Sequence, residues 1–223
     1  MLILPLFFKF EPVGEGELRD RLFRLAGRFN TRVNGVYIWK LGEKTSKSNA
    51  ALMGFGPTRR VVIADTMIET NTADEIEVVL AHELGHHVNR DIPRLIIVQA
   101  FVMVAGFAMI HVVLSALSDS FGLNGLKDFA NLPLLIFIAL VGSLLMLPAI
   151  NGYSRRREHA ADVFALEATQ RPEDFISAMR SLGKQNLAEE NPNPIIESIF
   201  HSHPSFGKRI RFAERLLEER DAL

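Results

Sequence analysis

Two histidines and a glutamate, within the segment His82-Glu83-Leu84-Gly85-His86, have the spacing of a zinc hydrolase site. On a helix, residues i and i+4 lie on one face, so both imidazoles can bind one metal ion while Glu83 lies beside them. We therefore predict metal-assisted hydrolysis with Glu83 as general base; the alternative is a chance match on a surface helix. Gly85 costs up to about 1 kcal/mol relative to alanine in a helix interior, which indicates a packing or access reason for it.

A catalytic zinc ion needs a third protein ligand as well as an open position for water. The chain contains no cysteine, so histidines and carboxylates must hold the ion. Glu158 is the best candidate, and Asp162 follows one helical turn later on the same face, where it can accept a hydrogen bond from a ligand imidazole. The small residues Ala160 and Ala161 would let this helix approach the ion closely. The alternative is a solvated charged face paired with arginines 155–157.

Two long apolar runs predict a hairpin of membrane helices. Residues 95–117 contain no charged side chain, and a helix of that length crosses a hydrocarbon core of about 30 Å. Residues 132–150 form a second run, with Pro133 in its first turn and Pro148 near its end, where proline can terminate or kink a helix. The alternative is a pair of buried core helices.

Arginines flank the outer ends of both runs, at positions 90, 94 and 155–157. The positive-inside rule therefore predicts that both outer ends face the cytoplasm. We expect an integral protein of the cytoplasmic membrane, if the source is bacterial, with its active site on the cytoplasmic side. The apolar segment Met1–Phe8 is too short to span a membrane and has no positive flank, so we predict neither a signal peptide nor a membrane helix there.

The remaining chain predicts a mostly α-helical fold with a small β-sheet, an α+β catalytic domain that the hairpin interrupts. Thr72 and Glu75 have the spacing of a capping box for the helix with the two histidines. The expected division is 1–94 and 151–223 for the two parts of the catalytic domain and 95–150 for the hairpin. Patterns predict an amphipathic helix at 15–29, three strands at 35–41, 50–55 and 60–64, a helix or turn at 65–71, helices at 154–168, 172–186 and 205–220, and a loop at 189–194.

Charge and length limit the classes of function. The 223 residues suffice for one domain with a membrane insert, and the net charge of −1 gives no reason to expect a nucleic-acid partner. We expect a peptide or protein substrate at the membrane and the lipid bilayer as partners.

Several motifs together resemble the integral-membrane gluzincin proteases that include the CAAX prenyl protease family and HtpX. They are the HELGH segment, the hairpin, and Ser154-Arg155-x-x-Glu158-x-x-Ala161-Asp162. The segments at 6–12, 48–50 and 60–66 are similar to the CAAX prenyl protease branch. In that branch several membrane helices surround a chamber, so this chain is either a minimal form with one hairpin or lacks earlier helices.

The resemblance implies roles for matching positions. His82, His86 and Glu158 would bind one zinc ion, Glu83 would be the base, and Asp162 would support a ligand. His203 and Arg209 match a family His-Pro and a downstream arginine that stabilise the oxyanion. Without the resemblance, we would interpret His203 as a capping or core histidine, and His201 would be an equal candidate for a role in the site. An edge strand near residues 48–55, with Asn49 and Ala50, would align an extended substrate.

The predicted function is that of a membrane-bound zinc metalloendopeptidase of the CAAX prenyl protease type, acting on membrane-associated or prenylated-type substrates. Two alternatives remain at this point. One is an HtpX-like quality-control protease of membrane proteins. The other is a catalytically silent, zinc-stabilised membrane scaffold, against which the intact Glu83 argues because a structural site needs no base.

Overall fold

Eight α-helices and four short β-strands make up the part of the chain that the structure describes. The structure is a computed structural model, and it describes residues 9–45, 47–120, 122 and 128–222; the prediction for Met1–Phe8 lies outside them. The strands are β1 (Phe10–Pro12), β2 (Val36–Trp39), β3 (Ala50–Met53) and β4 (Arg60–Ala64). The helices are α1 (Glu17–Arg28), α2 (Asp65–Thr70), α3 (Ala73–Val88), α4 (Asp91–Ser120), α5 (Leu132–Thr169), α6 (Pro172–Gln185), α7 (Pro194–Phe200) and α8 (Phe206–Asp221).

The sheet has the strand order β1-β2-β4-β3. Strands β2 and β4 are parallel, and β3 pairs antiparallel with β4, so β3 forms one edge of the sheet. The three predicted strands are confirmed, but the prediction of a three-stranded sheet was wrong. The fourth strand, β1, pairs antiparallel with β2. It has only three residues and ends in a proline, so its own sequence carries little strand signal.

The hydrophobic core lies between the sheet and the helices α1, α3 and α6. Leu22 of α1, Ile63 of β4, Leu80 and Leu84 of α3 and Phe175 of α6 are fully buried. The predicted amphipathic helix near 15–29 is therefore confirmed as α1, whose apolar face packs into this core. The core fixes one side of α3 and leaves its other side to face a cleft.

The helices α4 and α5 expose their apolar side chains instead of burying them. Ile97 and Phe101 of α4 are 69% and 73% exposed, and Leu145 of α5 is 70% exposed. No residue of the most apolar window of α4 is buried, and only 6% of that of α5 is buried. The alternative of two buried core helices is therefore wrong. Both helices are long and apolar enough to cross a membrane.

The second apolar run does not end at Pro148. The helix α5 spans 38 residues from Leu132 to Thr169 and includes Pro148, so the apolar run at 132–150 and the helix predicted at 154–168 are parts of one helix. A proline removes one backbone hydrogen bond, and long membrane helices tolerate that loss. A second difference is α7, which begins at Pro194, the last residue of the predicted loop, and ends at Phe200. Pro194 at its first position and Asn193, whose side chain accepts a hydrogen bond from the N–H of Ile195, begin this helix.

Candidate metal centre and cleft

The helix α3 that holds the two histidines begins with the predicted capping box. Thr72 Oγ1 accepts a hydrogen bond from the N–H of Glu75 at 3.2 Å, and Glu75 Oε2 accepts one from the N–H of Thr72 at 2.9 Å. These bonds satisfy two backbone donors that have no partner within the helix. The start of α3 is thereby fixed, and with it the orientation of His82 and His86, which lie about two and a half and three and a half turns later.

Gly85 allows α3 and α5 to approach closely, as we expected from its position in the motif. A Cβ atom at Gly85 would lie 3.1 Å from Ala161 Cα and 3.2 Å from Phe164 Cβ. Ala161 itself is fully buried. The two small residues therefore bring Glu158, one turn before Ala161, next to the histidines of α3.

Three side chains from these two helices form a compact triangle. His82 Nε2 and His86 Nε2 are 3.2 Å apart, and each lies 3.4 Å from an oxygen of Glu158. A tetrahedral zinc ion with bonds of about 2.0–2.1 Å holds its ligand atoms about 3.3–3.4 Å apart, so the spacing fits such an ion. The donor set also fits, because two imidazoles and a carboxylate leave one position open for water. Within the described residues these three side chains form the one group that could hold a metal ion.

Asp162 and Arg209 lie behind His82, on the side away from the triangle. Asp162 Oδ1 is 2.8 Å from His82 Nδ1, and Arg209 Nε donates to Asp162 Oδ2 at 2.9 Å. Burial would raise the pKa of Asp162, but the charge of Arg209 and the hydrogen bond from His82 lower it to about 2. Asp162 is thus a buried, ionised carboxylate that orients the imidazole ring of His82. Arg209 contacts Asp162, and its Nη2 lies 3.2 Å from His82 Nδ1.

The carboxylates make the surroundings of His82 favourable for positive charge. Burial and Arg209 both lower the pKa of His82, but hydrogen bonds to Asp162 and Glu158 raise it to about 9. Burial alone would raise the pKa of Glu158, yet His82 and the other histidines hold it below its ordinary value. A cluster that favours a proton on His82 also favours a divalent cation in place of that proton.

A cleft of about 430 Å³ passes over the triangle. Glu83 lies in its wall next to the histidines, and the predicted substrate-binding residues Asn49 and Ala50 line it where β3 begins. His203 also lines it, with Nε2 at 3.3 Å from an oxygen of Glu158. In contrast, the carbonyl group of His201 accepts a hydrogen bond from Arg155 at 2.7 Å. The structure therefore brings His203, and not its competitor, to the cleft.

Two residues that the sequence analysis did not select contact this site. Asp91 Oδ2 lies 2.9 Å from His86 Nδ1, and Arg157 Nε donates to Asp91 Oδ1 at 2.6 Å. Asp91 lies beyond the end of the motif helix, and Arg157 is 66 residues further along the chain. No spacing rule links such positions, so only the folded chain reveals their contact.

The chain matches the model of peptidase family M48 over residues 12–217. It belongs to that family. Membership of M48 implies a metal ion, and the His82, His86 and Glu158 group is compatible with one. The chain is 32% identical over 220 residues to the uncharacterized metalloprotease YhfN of Bacillus subtilis. This match covers 96% of the chain and 51% of YhfN.

Other M48 relatives carry the name of the CAAX prenyl protease branch, in agreement with the resemblance of the sequence motifs. The CAAX prenyl protease 1 homolog of Arabidopsis thaliana is 31% identical over 215 residues, covering 95% of this chain and 50% of the relative. The CAAX prenyl protease 1 of Saccharomyces cerevisiae is 28% identical over 239 residues, covering 99% and 52%. The chain spans about half the length of the curated relatives it matches.

A solved structure shares the fold. The crystal structure of S. mikatae Ste24p superposes with a TM-score of 0.79 at 26% sequence identity, covering 95% of this chain and 53% of that one. The fold class predicted from the sequence, mostly α-helical with a small sheet and two long apolar helices, is confirmed. The two candidate spans and the similarity to Ste24p indicate an integral membrane protein.

Proposed function

We propose that this chain carries the catalytic site of a membrane-bound zinc metalloendopeptidase that cleaves membrane-associated or prenylated-type substrates. The observation that carries this proposal is the triangle of His82, His86 and Glu158, whose spacing fits zinc, next to Glu83 in an open cleft. A structural zinc site closes all four positions with protein ligands, whereas this triangle offers three. The spacing and the neighbouring Glu83 therefore favour an enzyme over a silent scaffold.

In this proposal Glu83 is the general base. Zinc, when bound, supplies Lewis acidity for the scissile carbonyl group and activates a water molecule at neutral pH. Glu83 accepts the proton of the attacking water and passes it to the leaving amine. Burial raises the pKa of Glu83, while the charges of His82 and His86 lower it, and the net direction is upward. A raised pKa suits a group that takes up and returns a proton near neutral pH.

In this proposal His203 donates a hydrogen bond to the developing oxyanion. The Ser202 hydroxyl group lies 2.9 Å from His203 Nδ1. When that hydroxyl donates to Nδ1, the ring proton resides on Nε2, the atom that faces Glu158 and the cleft. A donor aimed at transition-state charge contributes about 3 kcal/mol or more. Arg209 also lines the cleft, where it adds positive charge, and it donates to Asp162 behind His82.

The free edge of β3 provides a template for an extended peptide. Because β3 ends the strand order, its outer edge has no partner strand among the described residues. The cleft over the triangle includes Asn49 and Ala50 at one end of this edge. A second pocket of about 260 Å³ shares Glu83 and His86 and includes Leu52 and Phe55 at the other end. A peptide added to β3 would thus cross the triangle.

The apolar hairpin of residues 95–150, between the two parts of the catalytic domain at 1–94 and 151–223, would hold this cleft at the membrane. We propose that the cleft faces the cytoplasm, because the arginines flank the ends of the two apolar runs that lie nearest the triangle. The membrane would be the inner membrane in a bacterial cell. The substrate would then be a peptide or protein that the membrane itself presents.

The test compares Glu83→Gln with Glu77→Gln, a control on the same helix that pairs with Arg21 away from the cleft. Both variants of the full chain are purified in detergent, and zinc content and cleavage of a peptide panel are measured. We expect both to bind zinc and only Glu83→Gln to lose activity. Normal cleavage by Glu83→Gln would disprove its role as base. Equal cleavage of prenylated, unprenylated and unfolded substrates would favour the HtpX-like quality-control activity instead.

A further inference from the structure

The second histidine of the motif is held by a carboxylate that lies outside the motif. His86 turns its Nε2 toward His82 and Glu158, while its Nδ1 lies 2.9 Å from Asp91 Oδ2. A hydrogen bond from Nδ1 to Asp91 leaves the lone pair of Nε2 free for a metal ion and fixes the plane of the ring. Asp91 is to His86 what Asp162 is to His82.

Arg157 holds Asp91 in turn. Its Nε donates to Asp91 Oδ1 at 2.6 Å, so each oxygen of this carboxylate has its own partner. Asp91 is only 9% exposed, and a carboxylate buried to that extent needs a compensating charge. Arg157 supplies this charge from the residue next to Glu158, the third side chain of the triangle.

The backbone between His86 and Asp91 adopts a conformation that serves this contact. After α3 ends at Val88, Arg90 has a φ of 54°, in the left-handed region that residues other than glycine adopt at an energetic cost. Such a conformation persists where the surrounding contacts require it. Here it turns the chain so that Asp91, the first residue of α4, points back to His86.

We propose that Asp91 is a positioning residue for His86, and that the Asp91–Arg157 bridge makes the geometry of the metal site depend on the base of the membrane hairpin. This inference rests on the proposed zinc site. Asp91 begins α4 and Arg157 lies in α5 just beyond its apolar run, so the bridge joins the two long helices beside the triangle. A change in the relative position of α4 and α5 would move the partner of a metal ligand.

The experiment uses the full chain in detergent and four variants: Asp91→Ala, Asp91→Asn, Arg157→Gln and the control Arg156→Gln. Arg156 is the exposed neighbour of Arg157 in the same helix. Three quantities are measured: zinc affinity by competition with a chelator, the visible absorption spectrum of the Co²⁺-loaded protein, and kcat and KM at saturating zinc. Circular dichroism and the thermal midpoint report whether each variant is folded.

We expect Asp91→Ala and Arg157→Gln to lower zinc affinity by about 10–100-fold and Asp91→Asn to lower it less, because an amide oxygen still accepts the Nδ1 proton. In these variants the Co²⁺ spectrum should change and kcat should fall. Their KM should stay within about twofold of the wild-type value, because the substitutions do not touch the β3 edge. Arg156→Gln should match the wild type. If Asp91→Ala does not fold, Asp91→Asn and Arg157→Gln decide the question.

Unchanged zinc affinity and an unchanged Co²⁺ spectrum in the folded variants would overturn the inference. That result is distinct from a failure of the proposed function. In the latter case the wild-type chain itself would bind no zinc or cleave no peptide, whereas here only the dependence on Asp91 and Arg157 would be missing.

Discussion

Replacing Gly85 with alanine tests whether the close approach of α3 and α5 sets the spacing of the metal ligands. The new Cβ would lie 3.1 Å from Ala161 Cα and 3.2 Å from Phe164 Cβ, whereas ordinary van der Waals contacts lie at 3.4–4 Å. Because Ala161 Cα belongs to the backbone, no side-chain rotation can relieve that contact. The helix α5 must move away by a few tenths of an ångström, and Glu158 moves with it.

Two effects of opposite sign determine the change in stability. Alanine gains up to about 1 kcal/mol over glycine in a helix interior, and overpacking of a core contact costs about 1–3 kcal/mol. The net result is a loss of stability of about 0–3 kcal/mol. Zinc affinity should also fall, by about tenfold, because the movement of α5 lengthens the distances of 3.4 Å from Glu158 to His82 and His86.

Gly27 offers a matched control. It lies in α1, and a Cβ atom there would meet nothing within 4 Å, so Gly27→Ala should gain up to about 1 kcal/mol and leave zinc affinity unchanged. Thermal unfolding in detergent and chelator competition measure the two quantities for both variants. The reasoning fails if Gly85→Ala is stabilised as much as Gly27→Ala and binds zinc as tightly as the wild type.

Three further predictions concern stability in detergent. Thr72→Ala removes the side-chain acceptor of the capping box and should cost about 1 kcal/mol, seen as a fall of about 2–4 °C in the thermal midpoint; no fall would mean that the cap contributes nothing. Chelation of zinc present at about 100 times its Kd should lower the midpoint by about 5–11 °C, and added zinc should restore it; a midpoint that ignores both would argue against a metal site. Burial raises the pKa of Asp65, but backbone N–H groups from Gly42, Leu41 and Thr66 lower it below its ordinary value. The stabilisation by this charge is complete above the unfolded-state pKa and is lost as pH falls through the folded-state pKa. The loss of stability in Asp65→Asn, relative to the wild type, should therefore be largest at neutral pH and become smaller toward pH 3. A loss that stays constant with pH would contradict this.

Sequence patterns predicted those parts of the molecule whose causes are local. The spacing of Thr72 and Glu75 predicts the start of α3, because a capping box needs only residues within one turn. The spacing of His82 and His86 predicts a shared face for the same reason. Local spacing alone could not predict the position of Glu158, since its distance from the histidines depends on how two helices pack. Gly85 and Ala161 carried that information as small residues at the point of closest approach.

Features that depend on distant partners escaped prediction. Strand β1 gains its hydrogen bonds from β2, with Phe10 opposite Trp39, and its three residues give no periodicity of their own. The parallel pairing of β2 with β4 likewise depends on the whole chain path. In the sequence, Arg157 is one of three flanking arginines, and only its contact with Asp91 distinguishes it from Arg156. Each of these contacts joins segments that lie far apart in sequence.

The continuity of α5 changes how the site relates to the bilayer. Because the helix passes through Pro148 without ending, Glu158 lies about 12 Å beyond Ile150 along the helix. Similarly, Asp91 precedes Leu95, the first residue of the other apolar run, by about 6 Å in α4. The headgroup layer adds only about 5–8 Å to each side of the hydrocarbon core. Glu158 and Asp91 would therefore lie at or just above the headgroups. The two helices would set the distance from the bilayer to the metal, because they cannot slide without breaking the Asp91–Arg157 bridge. A site at that height would reach peptides held at the membrane surface more readily than peptides in bulk solution, and this is the physical reason for proposing a membrane-associated substrate.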